Sequence, residues 1–157
     1  MKKYRIALMP GDGIGPEICE TTKQVTEEVV HHFAPESLEW VHLPIGWEAI
    51  QQKKPPLPQE TLDELEACDG WVLGPHDSAS YPEQYRQSLN PSGAIRKHFD
   101  LYANIRPARS VSSNPYSKKA FDLVIVRENT EGFYADRNMH LGTGEFMPHP
   151  DTALAVG

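Results

Sequence analysis

The segment YRIALMP (4–10) runs straight into GDGIGPE and then into a helical stretch. That order of buried strand, glycine turn and helix constrains the fold more than any other feature of the chain. Pro16 at the first helical position, with Glu17 beside it, is a start signal for a helix reaching about His32. The alternation then repeats. Leu38 to Leu43 reads as a strand, and GWEAIQQKK is helical until Pro55–Pro56 breaks it. PLPQETLDELEACD reads as a helix with Thr61 as N-cap and Glu64 completing a capping box. GWVLGP (70–75) is a short buried strand ending in a Gly-Pro turn, followed by a short helix near Pro82–Ser88 and a helical turn or two in GAIRKHFD. LYANIRPAR and FDLVIVREN are strands. Strands alternating with helices predict an α/β fold with helices packed on a sheet.

The chain has 157 residues and is 39% hydrophobic, enough for one ordinary domain with a real core. Its net charge of −7 argues against broad binding of nucleic acid or of an anionic membrane, which needs a basic surface. A local arginine cluster can still serve an anionic small molecule. Cys19 and Cys68 form no CxxC and have no metal-ligand spacing, so they read as reduced structural thiols in a cytoplasmic setting. No apolar run reaches ~18 residues, so no membrane span is expected. MKKYRIALMPGDG reads as a first strand rather than a signal peptide. PHPDTALAVG ends on an apolar run, and the expectation is a chain that stops within a strand.

Several residue patterns carry chemistry, each with a plainer alternative. Gly11, Gly13 and Gly15 match neither the dinucleotide fingerprint nor a P-loop, so a tight structural turn and a cofactor loop both stay open. Arg96, Arg106 and Arg127 adjoin apolar segments. Strand ends at one edge of an α/β sheet collect ligands, and three planar guanidinium forks suit a di- or tricarboxylate. The alternative is three surface or salt-bridged arginines. Tyr134, seven residues after Arg127, is either a general acid or a half-buried packing tyrosine. The seven histidines show no HxxxH or HExxH pattern and read as solvated or structural. The acids Glu60, Asp63, Glu64, Glu66 and Asp69 read as a solvated helix face, and Trp47 and Trp71 as core or near-core.

Taken in order, GDGIGPE, PLPQETL…CDGWVLGP, IRKHFDLYANIRPAR and VRENTEGFYAD resemble the start of a β-decarboxylating dehydrogenase, the family of isocitrate, 3-isopropylmalate, homoisocitrate, and tartrate or D-malate dehydrogenases. The resemblance implies an isopropylmalate-dehydrogenase-like α/β fold, a mixed sheet with flanking helices, incomplete here. Residues 1–100 would be the N-terminal part of the large α/β domain and 101–157 the start of a smaller, dimer-forming domain. It implies oxidation of a 2-hydroxy di- or tricarboxylate by NAD or NADP, loss of CO2, and protonation of the resulting enol with help from a tyrosine. Arg96, Arg106 and Arg127 would hold the carboxylates, and Tyr134 would be the proton donor. Ile14 would pack near the nicotinamide, and Gly74, Pro75 and His76 would border the cofactor. Asn90 and Ser92, in the stretch SLNPSGAIR before the first arginine, would contact the substrate and favour a small or polar substituent over isopropyl. The family's catalytic lysine and the aspartates that hold Mg2+ or Mn2+ are expected beyond Gly157, so the chain alone is expected to be inactive and the longer protein a homodimer. A competing reading is a non-catalytic, carboxylate-binding regulatory subunit, against which Tyr134 leans.

Overall fold

The computed structural model describes residues 2–35, 37–86, 90–111, 119–129, 139–141 and 153–155. They fall into two compact units, Met1–Ile95 and Arg96–Gly157.

In the first unit the alternation folds as the periodicity predicts. Strand β1 (Tyr4–Met9) leads to α1 (Gly15–Phe33), then β2 (Leu38–His42), the short α2 (Trp47–Gln51), α3 (Gln59–Glu66), β3 (Gly70–Leu73) and α4 (Glu83–Arg86). Helix α5 (Pro91–His98) begins in this unit. The strands form a parallel sheet in the order β2-β1-β3. Tyr4 to Leu8 lie opposite Leu38 to His42, and Ile6 to Met9 lie opposite Gly70 to Leu73. Parallel neighbours need crossover connections, which the helices supply. Central β1 is the most apolar strand for that reason: Ala7, Leu8 and Met9 are buried, with Leu43, Ile45, Ala49, Leu65, Tyr81 and Ile95 completing the core. All three strands deliver their C-terminal ends to one edge, where α/β sheets bind ligands.

Two glycines permit that edge to close. The Gly74 N–H donates to the Met9 carbonyl at 2.8 Å. A Cβ on either Gly15 or Gly74 would overlap the Pro10 carbonyl. At Gly15, then, the glycine serves close packing of turn against strand, as a structural turn requires.

The helix from Gln59 differs from the sequence reading at two points. Pro58, not Thr61, occupies the N-cap position. Thr61 lies inside the helix, buried, and its Oγ1 donates to the Pro44 carbonyl at 3.0 Å. The acidic stretch is not simply solvated either. Arg5 pairs with Glu64 and donates to the Ala67 carbonyl at 3.2 Å, Lys2 pairs with Asp69 at 2.8 Å, and Lys54 with Glu60 at 2.6 Å. Exposed pairs of this kind contribute little to stability.

The second unit contains β4 (Ala103–Arg109) and β5 (Asp122–Glu128), antiparallel, with Ala103 opposite Glu128 and Arg109 opposite Asp122. An Arg109–Asp122 ion pair of 2.8 Å closes one end of the ribbon. Short strands β6 (Met139–Leu141) and β7 (Ala153–Ala155) also pair antiparallel. The α/β class holds, with the parallel and antiparallel strands in separate sheets among the described residues.

Replacing Gly74 with alanine should destabilise the first unit by about 2–3 kcal/mol, because the added methyl meets main chain rather than a yielding side chain. Urea denaturation of the purified variant measures this; unchanged stability would show that the turn does not need the close approach.

Candidate functional site

The strand-end edge of the first unit is organised around Asp12, a residue the sequence reading passed over. Its side chain is only 4% exposed. Oδ1 accepts the Trp47 N–H at 2.7 Å, and Oδ2 accepts the Asp77 N–H at 2.9 Å and the Tyr81 hydroxyl at 2.5 Å. Its main chain is engaged as well, the N–H donating to the Pro75 carbonyl at 2.7 Å and the carbonyl accepting the Gly15 N–H at 2.8 Å. A buried carboxylate is tolerated only when its oxygens are satisfied, and these are. Tyr81 is buried against it, and burial together with the Asp12 carboxylate pushes its hydroxyl well above the ordinary tyrosine range.

Three of the predicted cofactor-bordering residues lie in the turn after β3, and the fourth lies in the turn after β1. Gly74 is buried, Pro75 is exposed, and His76 is half-buried. Ile14, at the start of α1, is 60% exposed, an unusually open position for an isoleucine beside the core. The His76 Nε2 is buried with no hydrogen-bond partner among the described residues. Burial lowers the His76 pKa below its ordinary 6.5, and the Asp12 charge opposes that shift. An exposed apolar side chain, a proline and a half-buried imidazole lie along this strand-end edge.

The three arginines fall in the second unit. Arg96 lies in the last turn of α5 and is half-buried. Arg127 pairs directly with Asn104 across the β4–β5 ribbon, and Arg106 is two residues along from Asn104. Directly paired residues, and residues two apart on a strand, share a face. Arg106 and Arg127 are therefore diagonal neighbours on one face, with Asn104 between them. The Asn104 Oδ1 accepts the Arg106 Nε–H at 2.8 Å, which orients that guanidinium. Such a pair of forks can grip a dicarboxylate bidentately.

Asn90 has a role the sequence reading did not give it. Its Oδ1 accepts the Gly93 N–H at 2.8 Å, capping α5, so that oxygen is already committed. Ser92 is half-buried in the first turn of the same helix. Tyr134 and Ser88 lie outside the described residues. Asn129, also missed, is 4% exposed and donates from Nδ2 to the Leu101 carbonyl at 3.0 Å, tying the end of β5 to the entry of β4. Among the described residues no group of three or more His, Cys, Asp or Glu could hold a metal ion. No described helix is long and apolar enough to cross a membrane.

The sequence profile of isocitrate/isopropylmalate dehydrogenase matches residues 5–148. The chain belongs to the isocitrate/isopropylmalate dehydrogenase family. It is 38% identical over 143 residues to a 3-isopropylmalate dehydrogenase of Aquifex aeolicus, a match covering 85% of this chain and 39% of the relative. It is 39% identical over 137 residues to an isocitrate/homoisocitrate dehydrogenase of Thermus thermophilus, covering 85% and 38%. The crystal structure of isocitrate dehydrogenase from Methylococcus capsulatus superposes with a TM-score of 0.70 at 30% identity, over 98% of this chain and 42% of that one. The chain thus spans about two fifths of the length of these family members.

Because the folded-state pKa of His76 is lowered, the unfolded chain takes up that proton first as the pH falls. The stability linked to His76 is complete above the unfolded value of 6.5 and declines below it, until the folded-state pKa is passed. Thermal melts between pH 7.5 and 5.5 should show a smaller loss for His76→Gln than for the parent. Identical losses would mean that His76 titrates as a solvated imidazole.

Proposed function

We propose that this chain carries the substrate-gripping and nicotinamide-flanking parts of an NAD- or NADP-dependent dehydrogenase that oxidatively decarboxylates a 2-hydroxy di- or tricarboxylate. The observation that carries the reading is the shared face of Arg106 and Arg127, with Asn104 holding Arg106 in place. Two cations on one face of an otherwise acidic protein, Arg106 oriented by Asn104, suit a small molecule bearing two carboxylates.

In this reading Arg96, Arg106 and Arg127 bind the carboxylates and fix which face of the hydroxyl-bearing carbon is presented. Ile14 and the Gly74–His76 turn flank the nicotinamide and keep water from that side. Bound NAD or NADP would supply the hydride acceptor. Tyr134 gives a proton to the enol carbon left after CO2 departs. The described residues offer no ligand set for the Mg2+ or Mn2+ of this chemistry, so no step is assigned to a metal. Asn90 and Ser92, both short and polar, favour substrates whose remaining substituent is small or polar. The activity is that of the longer, homodimeric protein, with residues 1–100 in its large domain and 101–157 in its dimer-forming domain. The 157-residue chain by itself should form no NADH or NADPH from isocitrate, isopropylmalate, tartrate or malate with either metal.

Calorimetric titration with malate, isocitrate and isopropylmalate tests the grip. Arg106→Ala and Arg127→Ala should each weaken binding by about tenfold or more, the loss expected for a hydrogen bond between charged groups. Asn104→Ala should weaken it less. Parent-like affinity in both arginine variants would remove the clamp. Tight diacid binding by a full-length protein that turns over none of these substrates would favour a non-catalytic, carboxylate-binding regulatory subunit.

A further inference from the structure

We infer that Asp12 is the positioning residue of the GDGIGPE turn: its carboxylate and main chain together set the edge formed by Ile14 and residues 74–77. The functional half of this inference rests on the cofactor-flanking reading above; the structural half does not.

Asp12 grips the turn after β3 twice. Its N–H binds the carbonyl of Pro75, and its Oδ2 binds the N–H of Asp77. These contacts lie on either side of His76, so the main chain there is closed into a ring through one residue. The Asp12 carbonyl meanwhile accepts the Gly15 N–H, which holds Ile14 in the adjoining turn. One residue thereby fixes both sides of the proposed nicotinamide edge.

The surrounding groups are arranged to keep that carboxylate in place. The Trp47 N–H reaches Oδ1 from the start of α2, and the Tyr81 hydroxyl reaches Oδ2 from the core. Trp47 and Tyr81 pack edge to face, with centroids 5.8 Å apart at 88°. The Trp47 Nε1–H donates to Ser80 Oγ at 2.9 Å, and Ser80 Oγ donates to the Asp77 carbonyl at 2.8 Å. Both main-chain polar groups of Asp77 are therefore bound within one network. Gly46 completes it. Its φ is +62°, and a Cβ there would strike both the Asp12 carboxylate and the Tyr81 hydroxyl. Only glycine leaves the carboxylate its place.

Amide hydrogen exchange followed by NMR tests this, together with the NADH affinity of each protein. In Asp12→Asn, which keeps the shape but removes charge and one acceptor, the Trp47 and Asp77 amides should exchange about tenfold faster. Amides of β1 and β3 should keep their protection, and NADH binding should weaken in step. Tyr81→Phe removes one donor without touching the main chain and should shift both readouts in the same direction by less; it also serves if Asp12→Asn does not fold. Unchanged Trp47 and Asp77 exchange overturns the inference, as does loss of protection spread evenly over β1 and β3, which marks a folding residue only. If the full-length parent protein takes up no NADH, the cofactor-flanking reading falls, and the exchange pattern still decides whether Asp12 holds the turn.

Discussion

A buried carboxylate can accept hydrogen bonds but not give them, and Asp12 satisfies that demand with donors drawn from positions 47, 77 and 81. Each hydrogen bond to a charged group contributes roughly 1.5–3 kcal/mol, which together offset a desolvation cost of several kcal/mol. The net gain in stability is modest. What the arrangement supplies is geometry, because segments far apart in sequence must meet at one atom pair. Glycine at position 46 and the edge-to-face tryptophan and tyrosine pack around that point.

In the proposed reading the two units divide the chemistry. The first offers a mostly apolar strand-end edge, the second a cationic face. That division suits a reaction in which an aromatic cofactor ring and a polyanionic substrate need different surroundings. The β4–β5 ribbon also displays Ile105, Val124 and Val126 largely exposed, the last at 64%. A two-stranded ribbon with apolar residues open to solvent is marginal by itself. The family members it resembles are more than twice as long, and in the proposed reading their additional chain covers such surfaces.

Much of the fold was legible because strand and helix periods are local properties of the chain. The strand-turn-helix order from Tyr4, the Gly-Pro stop after Leu73 and the strands that carry Arg106 and Arg127 could all be read directly. The expected place of both arginines at strand ends of the α/β sheet is corrected: they lie on a separate antiparallel ribbon with Arg106 in mid-strand, a pairing that sequence periods do not show. Thr61 was misread because a threonine followed three residues later by glutamate looks the same before a helix as inside one; the buried Pro44 carbonyl that claims its hydroxyl is not visible in sequence. Asp12 was missed for a related reason. Its neighbours in sequence are glycines, and its partners lie 35 to 69 residues away. Asn104 became visible only once the register placed it opposite Arg127. The one available hint was that a charged residue sat in a turn between a buried strand and a helix, where the core would have to accommodate it.

The most direct measurement is of the hydrogen bonds themselves. Through-bond scalar couplings across a hydrogen bond can be recorded by NMR between an amide nitrogen and an acceptor carboxyl carbon. The account predicts such couplings from both the Trp47 and the Asp77 amides to the side-chain carboxyl of Asp12. Couplings from neither amide, with both N–H groups open to solvent exchange, would contradict it: the turns after β1 and β3 would then be positioned by something other than this carboxylate.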